Sequence, residues 1–371
     1  MALSKYRLGE LLDRNTEYNE KMEFGIPDVR GVLNSKGISN TKVNVEDRDL
    51  SKFLVVRPGG FIFNHRVHDK LGLGYNTTEN TYIFTNDYVA FYVKPEIAGK
   101  LLLPDYLYIW YLRSEFDRYM LFQTYGSATL FFNWDNMCDL KIELPNTEVQ
   151  QKYVDIYNAL VANQQSYERG LEDLKLVCDG YIEDLRRRMP CEKIRPYIEA
   201  RDERNSDLSV KLAQGITIEK QFATPKQVAE VETSAKIVRQ GQFAYNRATT
   251  RNGEKISIAY REGEDCVVSS AYQVFEIIKP EKLDPYYLMM WYKRAEFDRY
   301  ARYMSKGSAH EFFEFEDMCN VQIPIPNIKV QKSIAEVYAI YTMRKQINEQ
   351  LKAQIKDICP ILIKGSLEER E

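Results

Sequence analysis

The sequence predicts an α+β fold built as a tandem duplication: a mixed α/β domain followed by a long helix, written twice, with the two helices forming an antiparallel coiled coil. Three observations predict it. The segment Trp110-Tyr111-Leu112-Arg113-Ser114-Glu115-Phe116-Asp117-Arg118-Tyr119 returns as Trp291-Tyr292-Lys293-Arg294-Ala295-Glu296-Phe297-Asp298-Arg299-Tyr300, an offset of 291 − 110 = 181. Short β-branched and aromatic runs between Gly, Asn and Asp turns precede each copy of that segment. After each copy the apolar period changes to alternating threes and fours.

At the offset of 181, Gly126-Ser127-Ala128 falls on Gly307-Ser308-Ala309, Phe131-Phe132 on Phe312-Phe313, and Val149-Gln150 on Val330-Gln331. Upstream the offset drifts by a few residues, as changes in loop length cause. There Gly59–Asn64 matches Gly241–Asn246, and Val32-(x3)-Lys36 matches Ile216-(x3)-Lys220. The strands expected are Phe53–Val56, Phe61–Phe63 and Tyr88–Val93 in the first copy, and Lys236–Arg239, Val267–Val268 and Gln273–Ile278 in the second. One helix interrupts them in each copy. Pro104-Asp105 and Asp284-Pro285 open it, with Pro near the first helical position, and the repeated aromatic segment forms its body. Asn146 and Asn327, each after a Pro, are placed to cap the long helices.

Val149, Tyr153, Ile156, Leu160, Asn163, Tyr167, Leu171, Leu174, Cys178 and Tyr181 form one expected seam. Val330, Ile334, Val337, Tyr341, Arg344, Asn348, Leu351, Ile355, Ile358 and Leu362 form the other. The polar members Asn163, Arg344 and Asn348 would fix register, and Gly180 and Pro360 mark where each helix should kink or stop. The expected domains are therefore 1–145 and 190–326, with spacer helices over 146–189 and 327–371. A helix of about 32 residues spans about 48 Å. Paired antiparallel, two such helices would hold the domains at opposite ends about a pseudo-two-fold axis. That geometry suits two half-sites on a duplex, whose helical turn is about 34 Å, and equally a scaffold for other partners.

Charge adds a modest pointer. The net charge is −3, yet residues 30–75 carry eight Lys/Arg against four acids and residues 211–261 nine against four. Basic segments thus recur at the same place in each copy, as a polyanion binder or a solvated surface would have them. No apolar run approaches the roughly 18 residues that cross a bilayer, and Met1–Leu12 does not read as a secretory leader. The six cysteines lie far apart without a CxxC pair, so reduced thiols in a cytoplasmic protein are expected.

The order of motifs resembles the specificity (S) subunits of type I restriction–modification systems. The residues that carry the likeness are Tyr6-Arg7-Leu8-Gly9-Glu10-Leu11-Leu12, the Gly-x-Phe-x-(Phe/Tyr)-Asn turn of each copy, the later Gly-Ser-Ala and Phe-Phe segments, and Ile142–Pro145 and Ile323–Pro326 leading into Val-Gln and a long helix. The resemblance implies two target-recognition domains that read a bipartite, asymmetric site on double-stranded DNA. It also implies that the helices dock two modification subunits, which carry S-adenosylmethionine and methylate adenine N6. A restriction subunit with ATP and Mg joins them where one is present. This chain itself is then a non-catalytic DNA-recognition subunit without a cofactor.

The residues agree with that reading. Asp284-Pro285-Tyr286-Tyr287 lacks the second Pro of an amino-methyltransferase motif, no glycine-rich cofactor loop follows an N-terminal strand, and a helix start explains the segment better. His65 and His68, with His310 far away, do not make a metal cluster. Asn64-His65-Arg66 and Asn246-Arg247 are the candidate base readers: they end strands and suit adenine and guanine edges. An equal alternative is that each Asn caps a turn and only the Arg faces DNA. Lys36, Lys42, Lys70, Lys220, Lys226, Arg251 and Lys255 are expected on phosphates, and Ser127 and Ser308 on a phosphate or in a turn. The Glu-Phe-Asp-Arg-Tyr stretch of each aromatic segment is expected to be core plus a surface ion pair, not a DNA contact. Two other classes stay open at this stage: a duplicated protein-interaction scaffold, and a stand-alone DNA-modifying enzyme.

Overall fold

The computed structural model describes residues 4–41, 44–124, 130–225, 233–248, 255–306 and 311–369. The chain divides into two compact units, residues 1–168 with 347–371, and residues 169–346. Each unit combines one globular repeat, the near half of the helix that follows it and the far half of the other long helix.

The first repeat is built on a four-stranded antiparallel sheet in the order Leu12–Asn15, Tyr88–Val93, Phe61–Asn64, Leu73–Tyr75. The second repeats it as Ile198–Arg201, Tyr272–Ile277, Gln242–Asn246, Ile258–Tyr260. Alternation along these strands sends one set of aromatics into the core. Phe61 stacks on Phe91 at 5.1 Å, and Phe243 on Phe275 at 5.0 Å. Such cross-strand pairs fix register, because a slip of one residue would turn the aromatics to the other face. A two-stranded pair closes each repeat, Ser4–Arg7 with Lys141–Leu144 and Cys191–Lys193 with Gln322–Pro324.

The single helix expected in each repeat is two. Pro104–Tyr111 is followed by Ser114–Gln123, and Pro285–Tyr292 by Ala295–Met304. The break falls at Arg113 and Arg294, both extended in backbone. Arg113 turns back so that its Nε donates to the Trp110 carbonyl at 2.9 Å, with its guanidinium 4.5 Å from the Trp110 ring. Arg294 lies in the same way 5.4 Å from the Trp291 ring. Asp284-Pro285 opens its helix as the sequence suggested, and the Asp284 carboxylate caps it, accepting from the Tyr286 and Tyr287 amides at 3.0 Å.

The long helices run over Thr147–Arg188 and Ile328–Glu368, capped by Asn146 and Asn327 through the Val149 and Val330 amides. They pass through Gly180 and Pro360 instead of stopping there. The propensity penalties are about 1 and 3 kcal/mol. Packing offsets them at Pro360, since its neighbours Cys359, Leu362 and Ile363 are buried, with Cys359 and Ile363 in the first repeat's core. In the first unit the two helices run antiparallel: Lys152 pairs with Glu369 at 2.6 Å and Glu168 with Lys352 at 2.6 Å. Gly365 admits the Tyr153 ring, because a Cβ there would lie 3.0 Å from the phenol oxygen. In the second unit Ile182 enters the same core as Ile334 and Ala335, again antiparallel. The seam of the first helix runs one position later than expected over much of its length. Gln150, Val154, Gln164 and Ile182 are buried, whereas Ile156 and Tyr181 are exposed. The register-fixing polar pair is accordingly Gln164 with Asn348, whose side chains bond at 2.9 Å; Asn163 and Arg344 are exposed.

All six cysteines are free thiols, and no described helix is long and apolar enough to cross a membrane.

Candidate nucleic-acid interface

Each repeat ends its Gly-x-Phe strand in the same turn. In the first, Asn64 Oδ1 accepts from the Arg66 amide at 3.0 Å, and the Asn64 amide donates to the Gly72 carbonyl at 2.8 Å. In the second, Asn246 Oδ1 accepts from the Ala248 amide at 3.1 Å, and the Asn246 amide donates to Ser257 at 2.9 Å. The residue after each Asn offers its carbonyl to the second Phe of the Phe-Phe pair: Phe132 N to His65 O and Phe313 N to Arg247 O, both 2.9 Å. Its side chain then lies over the first Phe. His65 stacks on Phe131 at 5.6 Å, and the Arg247 guanidinium sits 5.8 Å from Phe312. Two turns of one construction thus present different side chains.

Both asparagines spend their carbonyl oxygen on the turn, the capping alternative. That oxygen is the acceptor a bidentate contact to adenine needs, so the side chains free to meet a ligand are His65, Arg66 and Arg247. Arg66 is over half exposed, held only by Asp87 at 3.5 Å. Arg247 reaches Glu314 at 3.3 Å and the Ala271 carbonyl at 3.3 Å. Exposed ion pairs of this kind contribute about 0–1 kcal/mol, so a phosphate or guanine edge can replace them. Lys70 is half-buried and Lys255 exposed. Lys42, Ser127, Lys226, Arg251 and Ser308 lie outside the described residues, as does His310. Among the described residues no group of three His, Cys, Asp or Glu side chains could hold a metal ion.

Lys36 and Lys220 correct the expectation of phosphate contacts. Their side chains are 4% and 5% exposed, and their ammonium groups bond Asp117 at 2.5 Å and Asp298 at 2.7 Å. An ammonium so placed does not reach a phosphate in this conformation. The aspartates belong to the repeated aromatic segment, which also carries a surface ion pair, Glu115 with Arg118 at 3.7 Å. Each lysine ends a hairpin turn of identical bonding: Lys36 N to Leu33 O with Leu33 N to Gly37 O, and Lys220 N to Thr217 O with Thr217 N to Gln221 O. Both have a left-handed backbone, φ +65° and +63°, where Gly or Asn is the usual occupant. A lysine persists there in both repeats because its side chain pins the hairpin to the helix. Each ammonium also lies over a ring, Phe116 at 5.4 Å and Phe297 at 5.5 Å. Burial pulls both lysines below their ordinary pKa, with the aspartate opposing the shift.

The glutamine of each Val-Gln pair is the other functional position that the sequence displayed only as a repeat. Gln150 accepts from the Leu103 amide at 2.9 Å and donates to the Leu101 and Pro145 carbonyls at 2.8 Å. Gln331 accepts from Asp284 at 2.9 Å and donates to Lys282 and Pro326 at 2.7 Å. Both are fully buried, and they fix the first turn of each long helix to its globular repeat.

Residues 196–357 match the model of the type I restriction modification DNA specificity domain. Among solved structures, the chain is similar to the S subunit of a type I restriction–modification system from M. genitalium, with 10% identity, 100% of this chain and 97% of that one covered, and a TM-score of 0.59. It is also similar to a chain from a structure describing complex assembly and conformational transition of the type I R-M system, with 13% identity, 98% of each chain covered, and a TM-score of 0.50. At these identities the structural likeness shows the fold. No curated relative matches the chain. The specificity-domain match covers the second repeat and most of the helix after it, and the internal duplication gives the first repeat the same organisation.

Proposed function

We propose that this chain is the non-catalytic DNA sequence-specificity subunit of a type I restriction–modification complex. It reads a bipartite, asymmetric site with its two repeats and docks two adenine-N6 methyltransferase subunits on its long helices. The observation that carries this reading is the pair of equivalent turns, held on one frame but presenting His65 and Arg66 in one repeat and Arg247 in the other. A frame shared by two different reading surfaces is what two unlike half-sites require. S-adenosylmethionine belongs to the modification subunits. ATP and Mg belong to a restriction subunit where one accompanies them. The helices offer apolar positions for docking: Leu176, Tyr181 and Met343 are 71%, 55% and 60% exposed. The partners then extrude the adenine that the bound subunit brings within reach.

Reconstitution tests the proposal. The chain mixed with its modification subunits and S-adenosylmethionine methylates duplex DNA at defined sites, and neither component does so alone. Methylation by the chain with S-adenosylmethionine and no partner would make it an enzyme instead. Duplex binding that ignores both salt and loss of Arg66 and Arg247 would favour a protein scaffold.

A further inference from the structure

One pair of side chains stands out on the surface of the two repeats. Phe122 is 84% exposed and Tyr303 is 86% exposed, the most exposed large hydrophobic residues of the described chain. They are repeat equivalents, since 122 + 181 = 303. Each lies in the last turn of the helix carrying the repeated aromatic segment, Ser114–Gln123 or Ala295–Met304. A single exposed aromatic needs no explanation. An aromatic kept bare at the same place in two copies, whose neighbouring positions have diverged from Leu121 to Arg302 and from Gln123 to Met304, does need one.

The surroundings indicate what covers them. Arg118 and Arg299, one helical turn earlier on the same face, are both exposed. In the second repeat, residues 299–306 carry Arg299, Arg302 and Lys306 and no acid. Lys306 lies three residues beyond Tyr303 and exchanges backbone hydrogen bonds with Phe312 at 3.1 and 2.9 Å. Phe312 is the ring beneath Arg247. In the first repeat the corresponding strand, Leu130–Phe131, pairs with Arg66–Val67. The bare aromatic of each repeat therefore stands at the end of the helix that leads to the reading turn, beside exposed cations: Arg118, which also meets Glu115 at 3.7 Å, in the first, and Arg299 and Lys306 in the second, where Arg302 pairs with Glu311 at 3.2 Å. Aromatic surface among cations matches nucleic acid, in which phosphates flank stacking faces.

We propose that Phe122 and Tyr303 are DNA-contacting residues, one in each half of the molecule, whose rings press against the deoxyribose faces of the duplex backbone beside the reading turn. This rests on the reading of the chain as a DNA-recognition subunit. The contact is apolar and sequence-tolerant, so it strengthens binding of both half-sites without choosing their bases.

The test uses the full chain and a fluorescent duplex carrying its methylation site, with Phe122→Ala, Tyr303→Ala, the double variant, and the ring-preserving Phe122→Trp and Tyr303→Trp. Each alanine variant should bind about tenfold more weakly, because loss of one stacking ring costs of that order. The dependence of affinity on salt should stay as in the original chain, since no cation is lost, whereas Lys306→Ala should lower that slope by about one. The tryptophan variants should bind normally, and their added emission should be quenched by DNA. Both positions are exposed, so thermal melting of every variant should match the original chain. If the unaltered chain does not bind the duplex at any salt, the reading beneath the proposal fails. If it binds, and the alanine variants bind equally with no quenching in the tryptophan forms, the proposal itself is overturned. Alanine variants that bind DNA normally but no longer hold the modification subunits would also overturn it, and would assign the two rings to a protein interface.

Discussion

The paired lysine–aspartate bridges allow one quantitative prediction about how the globular repeats are held together. Asp117→Asn leaves the Lys36 ammonium 4% exposed and without its counter-charge, and Asp298→Asn does the same to Lys220. Removing one partner of a buried pair costs about 3–5 kcal/mol, whereas replacing both with apolar groups of similar volume is close to neutral. Each single Asn variant should therefore lose about 3 kcal/mol, which for a folded unit of this size lowers its melting midpoint by roughly 6–12 °C. Lys36→Met/Asp117→Leu should recover most of that loss, so the double variant should be far more stable than the sum of its single changes, Lys36→Met and Asp117→Leu, would make it. Asp298→Leu should be costlier than Asp117→Leu, because the Ile256 amide also donates to the Asp298 carboxylate at 3.2 Å and leucine offers no acceptor. Lys36→Gly separates backbone from side chain: it relieves a left-handed lysine, about 1 kcal/mol, while removing the same ion pair, so it should be milder than Lys36→Met. The assay is urea denaturation of the full chain followed by circular dichroism and tryptophan fluorescence. Single variants within about 0.5 kcal/mol of the original chain, or additive single and double losses, would refute the reasoning.

Further expectations follow from the same geometry. Gln150→Leu or Gln331→Leu strips three hydrogen bonds from backbone groups at the root of a long helix, and should cost about 3 kcal/mol in the same denaturation assay. Arg66→Ala and Arg247→Ala should each weaken duplex binding and reduce its salt slope by about one if the guanidinium meets a phosphate; a base contact would instead relax specificity at one position of one half-site, read by methylation mapping. With an alkylating reagent at pH 8, mass spectrometry should find the exposed Cys191 modified first. Cys266 and Cys359, whose thiols burial pushes up to about 11 and about 12, should resist until the chain unfolds. Inserting one heptad into each long helix, about 10 Å of rise, should change the gap between the half-sites or abolish activity, and leave the half-sites themselves unchanged.

Much of this architecture was legible because duplication turns one sequence into an alignment of two. The strand Tyr88–Val93 was readable to the residue, Asn146 and Asn327 were readable as caps, and Asp284-Pro285 as a helix start. What failed had local causes. The aromatic helix looks continuous, since nothing in its composition announces that Arg113 and Arg294 fold back on a tryptophan. Gly180 and Pro360 read as places where the helices kink or stop, and the helices continue past both because propensity ignores tertiary packing. The seam of the first long helix was displaced by one position because apolar residues stand beside the buried glutamines, and Gln150 and Gln164 do not score as core. Lys36 and Lys220 were counted as surface charge, because sequence displays a lysine's charge but not the aspartate about 80 residues later that neutralises it. The repeat did hold the signal: a Lys and an Asp recur together at equivalent places, 81 residues apart in one repeat and 78 in the other.

The central claim is that one chain carries two readers for two unlike half-sites. Genome-wide mapping of methylated adenine, in cells with and without this chain, tests it most directly. The account predicts a methylated motif of two short, different parts separated by a fixed gap, lost when the chain is deleted. A single continuous motif, or methylation that persists without the chain, would contradict it.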